Sequence, residues 1–337
     1  MPVHNSEAYL RAAIDSVLIQ GVSLEIIAVD DGSHDSSLSI LREYEANVPD
    51  FHVISFTKNL GVGAARQAAI LYARGEYLAF CDSDDTVPYG AYRAMLRAAR
   101  DRDVVVGAYM NVGEDGVAMG SFKPPRRGER TLFRSLFFVP CLWNKLIRRE
   151  LVIKGGLSFD EGMTIGEDVV FLGRLYNLSP TYSTTDRLVY AHHLRHGSLI
   201  HTYTLSSFLK HIECRRILLA MCRCREAEEY VSVELTPFLR DFLFNIPPSD
   251  LEAAYGAYRD LLLELSPTMT DEAFVVASGL NREDIQRVTG REYINLLSLS
   301  PPRERVLSEY RSGGIGLRWI LKFFAAWLKY KLEKILR

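Results

Sequence analysis

The chain has 337 residues, 48% of them hydrophobic and 24% charged, enough for one full catalytic domain plus a smaller appendage and too apolar for a disordered chain. A net charge of −2 leaves no global basic field, which argues against nucleic acid as the main partner and fits a neutral enzyme. The five cysteines (Cys81, Cys141, Cys214, Cys222, Cys224) lack paired CxxC spacing, so they read as reduced thiols in a cytoplasmic compartment, and a zinc site is not expected.

His4, Asn5, Ser6 and Glu7 interrupt any apolar leader, and no run of apolar residues is long enough to span a membrane. From Ser6 to Gln20, residues Tyr9, Leu10, Ala13, Ile14, Val17 and Leu18 form one helical stripe, with Ser6 as the expected cap. Glu25–Val29 is a short apolar strand that stops at Asp30-Asp31-Gly32-Ser33, and Asp35 then caps a helix through Tyr44. His52–Phe56 is a strand, Gly63–Ala73 an Ala-rich helix, and Glu76–Phe80 a strand ending at Cys81-Asp82. Short apolar strands joined by helices predict an α/β fold, a parallel sheet with helices on both faces, in which ligands bind at the carboxyl ends of strands. Both acidic clusters fall at such ends. The first helix has no full strand before it, so we expect the native chain to start upstream of Met1 by a few strand residues. Further on, Val104–Val112 begins a strand pair, Lys123–Arg130 reads as a mobile loop, Gly166 opens a helix through Asn177, and Tyr182–Tyr190 is strand-like. After about Thr204 the pattern turns helical, with breaks at Pro237, Pro247-Pro248, Pro267 and Pro301-Pro302.

Asp82-Ser83-Asp84-Asp85 places three carboxylates within four residues, and they repel one another unless a cation sits among them. Mg²⁺ or Mn²⁺ would take carboxylate and phosphate oxygens and neutralise a leaving diphosphate. The tetrapeptide alone fits a solvated acidic turn equally well. Asp31 could accept a base N–H, or Asp-Gly-Ser could simply be a turn. Gly61-Val62-Gly63 opens like a dinucleotide fingerprint, but Arg66 stands at the sixth position, which disfavours hydride transfer. Arg66 could instead reach a donor phosphate or sugar, or lie on the surface. Asp168, near a helix start, suits a general base, and helix capping is its alternative. His192, His193, His196 and His201 cluster around Arg195, which could hold phosphate. At the carboxyl end, Trp319, Phe323, Phe324, Trp327 and Leu328 recur at helical spacing among Arg318, Lys322, Lys329, Lys331, Lys334 and Arg337. That is the pattern of a helix lying in a membrane interface; a helix docked on the core or on a second subunit also fits, so a homo-oligomer stays open.

Pro2-Val3-His4-Asn5, Val29-Asp30-Asp31-Gly32-Ser33, Asn59-Leu60-Gly61 with Ala65-Arg66, Gly75-Glu76-Tyr77, Phe80–Asp85, Trp143-Asn144-Lys145 and Gly166-Glu167-Asp168, in that order and spacing, resemble the family 2 glycosyltransferases. The resemblance covers about residues 1–205. It implies a GT-A fold, a Rossmann-like mixed sheet flanked by helices, over residues 1–204. A helical region (205–310) and a basic amphipathic tail (311–337) follow. It also implies an inverting, metal-dependent transferase acting on a nucleotide-diphosphate sugar, a UDP-sugar foremost, in cell-surface polysaccharide synthesis. By matching positions, Pro2, Val3, Asn5, Asp31, Asp82 and Ser83 would contact the donor and Asp84 would ligate Mn²⁺ or Mg²⁺. His196 would complete the metal, with His193 behind it; Asp168 would be the base, and Trp143 and Glu167 would meet the acceptor. The acceptor would be a glycan or lipid-linked sugar, reached from the inner face of the plasma membrane. A non-catalytic sugar-nucleotide-binding scaffold is the rival reading. His4 departs from the aromatic usual before Asn5.

Overall fold

The structure, a computed structural model, describes residues 1–124, 141–195, 203–221, 236–268, 274, 278 and 282–298. His196 and the basic tail lie outside the described residues, as does most of the loop expected over 123–130. The chain divides into two compact units, one from Met1 to Thr202 joined by Met221–Arg223, the other made of the rest.

The first unit is α/β. Strand β1 (Pro2–Val3) pairs in parallel with β2 (Ile26–Asp30), and β2 with β3 (Phe51–Ser55). All five residues of β2 are buried, the continuous apolar run of a central parallel strand. Helix α1 (Leu10–Leu18) buries Leu10, Ala13, Ile14 and Val17 of the stripe that its periodicity predicts, while Tyr9 of that stripe is exposed. It starts later than expected, and Ser6 is not its cap. The Ser6 hydroxyl is spent instead on Ser83 Oγ (2.7 Å) and its amide on Ser37 Oγ (2.8 Å). Helix α2 (Ser37–Asn47) packs on β3, and α3 (Val62–Tyr72) packs on β1 and β2. Asp35 does serve its helix start, since Oδ1 accepts the Ser37 amide at 2.9 Å.

The second sheet is mixed, as the resemblance to the GT-A fold implies, and only the first sheet keeps the parallel arrangement read from the short apolar strands. Strand β4 (Tyr77–Ala79) pairs antiparallel with β7 (Lys145–Arg148), which pairs antiparallel with β5 (Val104–Val112). The hairpin partner of β5 is β6 (Ala118–Phe122), while β8 (Tyr182–His193) runs parallel along its other edge. Strand direction is set by which segment returns beside which, and short apolar runs carry no record of that. Val104, Val105 and Val106 are fully buried because both edges of β5 are paired and α4 (Ala91–Ala99) covers a face. Gly107 is required there: a Cβ would lie 2.4 Å from Val189 Cγ2. Helices α5 (Arg149–Lys154) and α6 (Glu167–Asn177) complete the unit.

The second unit is helical among its described residues: α7 (Leu205–Met221), α8 (Thr236–Leu243), α9 (Leu251–Leu265), α10 (Asp284–Arg287) and α11 (Gly290–Ser298). Its core joins Phe208, Ile212, Phe242, Leu261, Leu262 and Tyr293, and Tyr255 donates its hydroxyl to the Ile285 carbonyl at 2.9 Å. No described helix is long and apolar enough to cross a membrane.

Candidate active site

The site grows from strand ends. Beyond β2, Asp31 is buried, and its two carboxylate oxygens accept the amides of Leu60 (2.6 Å) and Gly61 (2.9 Å). Gly32 completes this join of loops: its φ is +68°, and a Cβ would fall 2.6–2.9 Å from the Lys58 and Asn59 backbone. Gly32→Ala should therefore cost about 2–4 kcal/mol of stability, read by denaturant unfolding, and should weaken nucleotide binding with it. Across the same edge, Asn5 sits at φ 49° with its amide donated to Ser33 Oγ (3.0 Å) and its Oδ1 accepting the His34 amide (2.8 Å). Pro2 and Val3 lie in β1 beside Val29 and Asp30, so the expected donor positions Pro2, Val3, Asn5 and Asp31 converge on one end of this sheet.

The acidic turn follows β4 and is pinned from behind by β8. The Tyr190 hydroxyl accepts the Asp82 amide (3.0 Å) and donates to Asp85 Oδ2 (2.9 Å). The His193 amide donates to Asp85 Oδ1 (2.7 Å), and Thr86 and Ala191 exchange backbone hydrogen bonds. Asp85, 2% exposed, thus spends both oxygens on β8, and burial with the neighbouring Asp82 charge pushes its carboxyl up to about 8. Asp84 differs. Its side chain is 45% exposed; burial first and Asp82 second raise its carboxyl above the ordinary range, and Arg195 opposes them. Arg195 donates to the Asp84 carbonyl and lies over the Tyr9 ring, with Nε 3.6 Å from Asp84 Oδ2. Ser83, buried, meets Ser6.

Asp82 points the other way. Its Oδ1 accepts from Arg66 Nη2 (2.9 Å), and Arg66 Nη1 donates to Glu167 Oε1 (2.7 Å). Arg66, expected to reach the donor, and Glu167, expected at the acceptor, are therefore paired with one another in the interior. Glu167 opens α6 after Gly166, whose φ of +78° turns the chain into the helix. Asp168 follows, half-buried, with Oδ1 accepting its own neighbour's amide, Val169 (2.8 Å). Burial and the Glu167 charge raise its carboxyl to about 7 against the pull of Arg66. A carboxyl near neutrality is the form a proton acceptor needs.

Trp143 lies flat against Tyr190 (4.4 Å, 10°) and His192 (5.5 Å, 18°), with Tyr109 on its edge at 4.7 Å. Its indole is thus a wall of the turn's support as well as an expected acceptor surface. His192 Nδ1 donates to Asn111 Oδ1 (3.1 Å), and burial lowers its basicity. His193 Nε2 meets Thr86 Oγ1 at 3.0 Å. Lys145, fully buried, donates to the Cys141 carbonyl (2.6 Å) and to Asn144 Oδ1 (2.9 Å). Reading the sequence missed Tyr190. The period-two spacing of Tyr190 and His192 along β8 was the available signal, since both fall on the face that meets Trp143.

Residues 1–156 match the family model described as Glycosyl transferase family 2. Over this segment the chain resembles the family 2 glycosyltransferases. It is 33% identical to EpsH of Bacillus subtilis over 218 residues, 61% of this chain and 63% of that one. It is 30% identical to the succinoglycan biosynthesis protein ExoO of Rhizobium meliloti over 213 residues, 58% of this chain and 60% of that one. The chain thus spans less than two thirds of the length of these relatives. The crystal structure of S. aureus TarS 1–349 in complex with UDP-GlcNAc superposes with a TM-score of 0.66 at 19% identity, covering 93% of this chain and 90% of that chain. The chain has the GT-A fold.

Proposed function

We propose that this chain is a family 2 glycosyltransferase that moves a sugar from a UDP-sugar to a glycan or lipid-linked acceptor in cell-surface polysaccharide synthesis, inverting the anomeric carbon. The observation that carries the proposal is the division of labour in the acidic turn. Asp85 and the backbone are spent on Tyr190 and β8, while the Asp84 carboxylate is left outward. The UDP-GlcNAc complex of TarS and the succinoglycan biosynthesis role in the name of ExoO support the donor class and the setting.

Each carboxylate oxygen has two acceptor sites, so Asp31 can take a base N–H while holding the Leu60–Gly61 amides. The donor set at the turn is hard oxygen, which fits a hard cation. Among the described residues no three His, Cys, Asp or Glu side chains form a metal cluster, which suits an ion that takes most of its ligands from phosphate and water. Asp84 would hold that ion, Mn²⁺ or Mg²⁺, whose charge neutralises the departing diphosphate. His196 would be a second protein ligand. Asp168 removes the proton from the acceptor hydroxyl as its oxygen attacks the anomeric carbon, and Trp143 borders the acceptor. Direct displacement of this kind leaves the product inverted.

A thermal-shift panel of UDP-, GDP- and dTDP-sugars with Mn²⁺ tests the donor. The UDP-sugars should raise Tm by mass action, and a response to GDP-sugars alone would overturn the choice of base.

The basic amphipathic tail would hold the chain on the inner membrane face, gaining about 1 kcal/mol per Lys or Arg near anionic lipid. Removing residues 311–337 should abolish co-sedimentation with phosphatidylserine vesicles. Retained binding would place the membrane contact elsewhere.

A further inference from the structure

Arg66 joins three elements of the site. It leaves α3 in the interior, 7% exposed, and divides its guanidinium between Asp82 beyond β4 and Glu167 at the start of α6. The face of α3 is built for this approach. At Gly63, one turn before, a Cβ would already touch Glu167 Cγ at 3.6 Å and Phe159 Cβ at 3.5 Å. Beneath them Phe159 stacks on Phe171 of α6 at 4.6 Å, and Phe80 closes both edge-on at 6.4 Å. The first turn of α6 is therefore held by one buried ion pair above an aromatic floor, and Asp168 is the next residue along.

We propose that the Arg66–Glu167 pair is a positioning device for Asp168: it fixes the helix turn that presents this carboxylate and sets the charge around it. The proposal rests on reading Asp168 as the base. The charged and titratable groups facing Asp168 are Glu167 on its own helix, Arg66 from α3, Asp82 beyond β4, and Cys141 with Lys145 at the start of β7. Glu167 raises the proton affinity of Asp168 and Arg66 lowers it. The two members of one ion pair therefore act on the base with opposite sign.

The test is a ¹³C NMR titration of the full chain labelled at aspartate Cγ, with the Asp168 signal assigned by its loss in Asp168→Asn. Glu167→Gln should lower the Asp168 midpoint, and Arg66→Gln should raise it, each by about one unit. Arg66→Lys keeps the charge but loses the two-pronged grip, so it should move the midpoint less than Arg66→Gln; it also keeps the test alive if the neutral variant fails to fold. Midpoints that stay put, or that move the same way in Glu167→Gln and in the Arg66 variants, overturn the proposal. Full turnover in Asp168→Asn with the opposite shifts intact would end the base assignment and leave the coupling standing.

Discussion

Asp168→Asn is expected to lower sugar transfer by roughly 10²- to 10⁴-fold, the contribution of a positioned general base, while UDP-sugar binding changes little. The separation matters because, among the described residues, Asp168 takes no part in the joins that hold the donor end of the sheet; its Oδ1 accepts the next amide in its helix. Asparagine keeps that acceptor and removes the basicity. Loss of UDP release with an unchanged donor-induced Tm shift would be the matching result. Unchanged turnover would end the assignment. The pH dependence has a definite sign. Burial and Glu167 raise the folded Asp168 carboxyl to about 7, so the base form, and with it the rate, increases as pH rises through that value. The same carboxyl binds its proton more tightly folded than unfolded. Its contribution to stability is therefore full at low pH and is lost as pH rises through about 7.

Asp84→Asn should be nearly as costly, by a different route. Of the three carboxylates in the turn, Asp85 is consumed by Tyr190 and His193, and Asp82 by Arg66. Asp84 faces Arg195 at 3.6 Å and is the most open to solvent. Losing it should remove the stabilisation that Mn²⁺ adds to UDP binding. It should also cut turnover by roughly 10²- to 10³-fold, about 3–4 kcal/mol of charge stabilisation on the departing diphosphate. Calorimetric titration of UDP with and without Mn²⁺ checks this, since the mutant should bind UDP equally in both. A metal response that survives in Asp84→Asn would move the ligand elsewhere in the turn.

Much of this site was legible before any coordinates. The run Ile26–Asp30 and the helix from Val62 carry their own periodicity, and the acidic residues declare themselves by crowding at strand ends. Gly32 and Gly166 sit where a reversal needs a positive φ. The pairing was not legible. Arg66 and Glu167 are 101 residues apart, and Tyr190 reaches Asp85 across 105. Such contacts leave no local pattern, so the pairing of Arg66 with Glu167 went unread and Tyr190 read as an ordinary strand residue. Ser6 looked like a cap for the same reason, since its true partner Ser83 is 77 residues away. The antiparallel joins of β7 were hidden too, because Lys145–Arg148 is a four-residue segment whose direction depends on its neighbours alone.

The most direct test of the central claim is nucleotide release. Wild-type chain incubated with a panel of UDP-sugars and an acceptor extract should free UDP from one of them over many turnovers with Mn²⁺ present and stop when EDTA removes it. Donor that binds and stabilises the fold while no UDP-sugar releases UDP, with metal and an acceptor extract supplied, would contradict a transferase and leave a sugar-nucleotide-binding scaffold in its place.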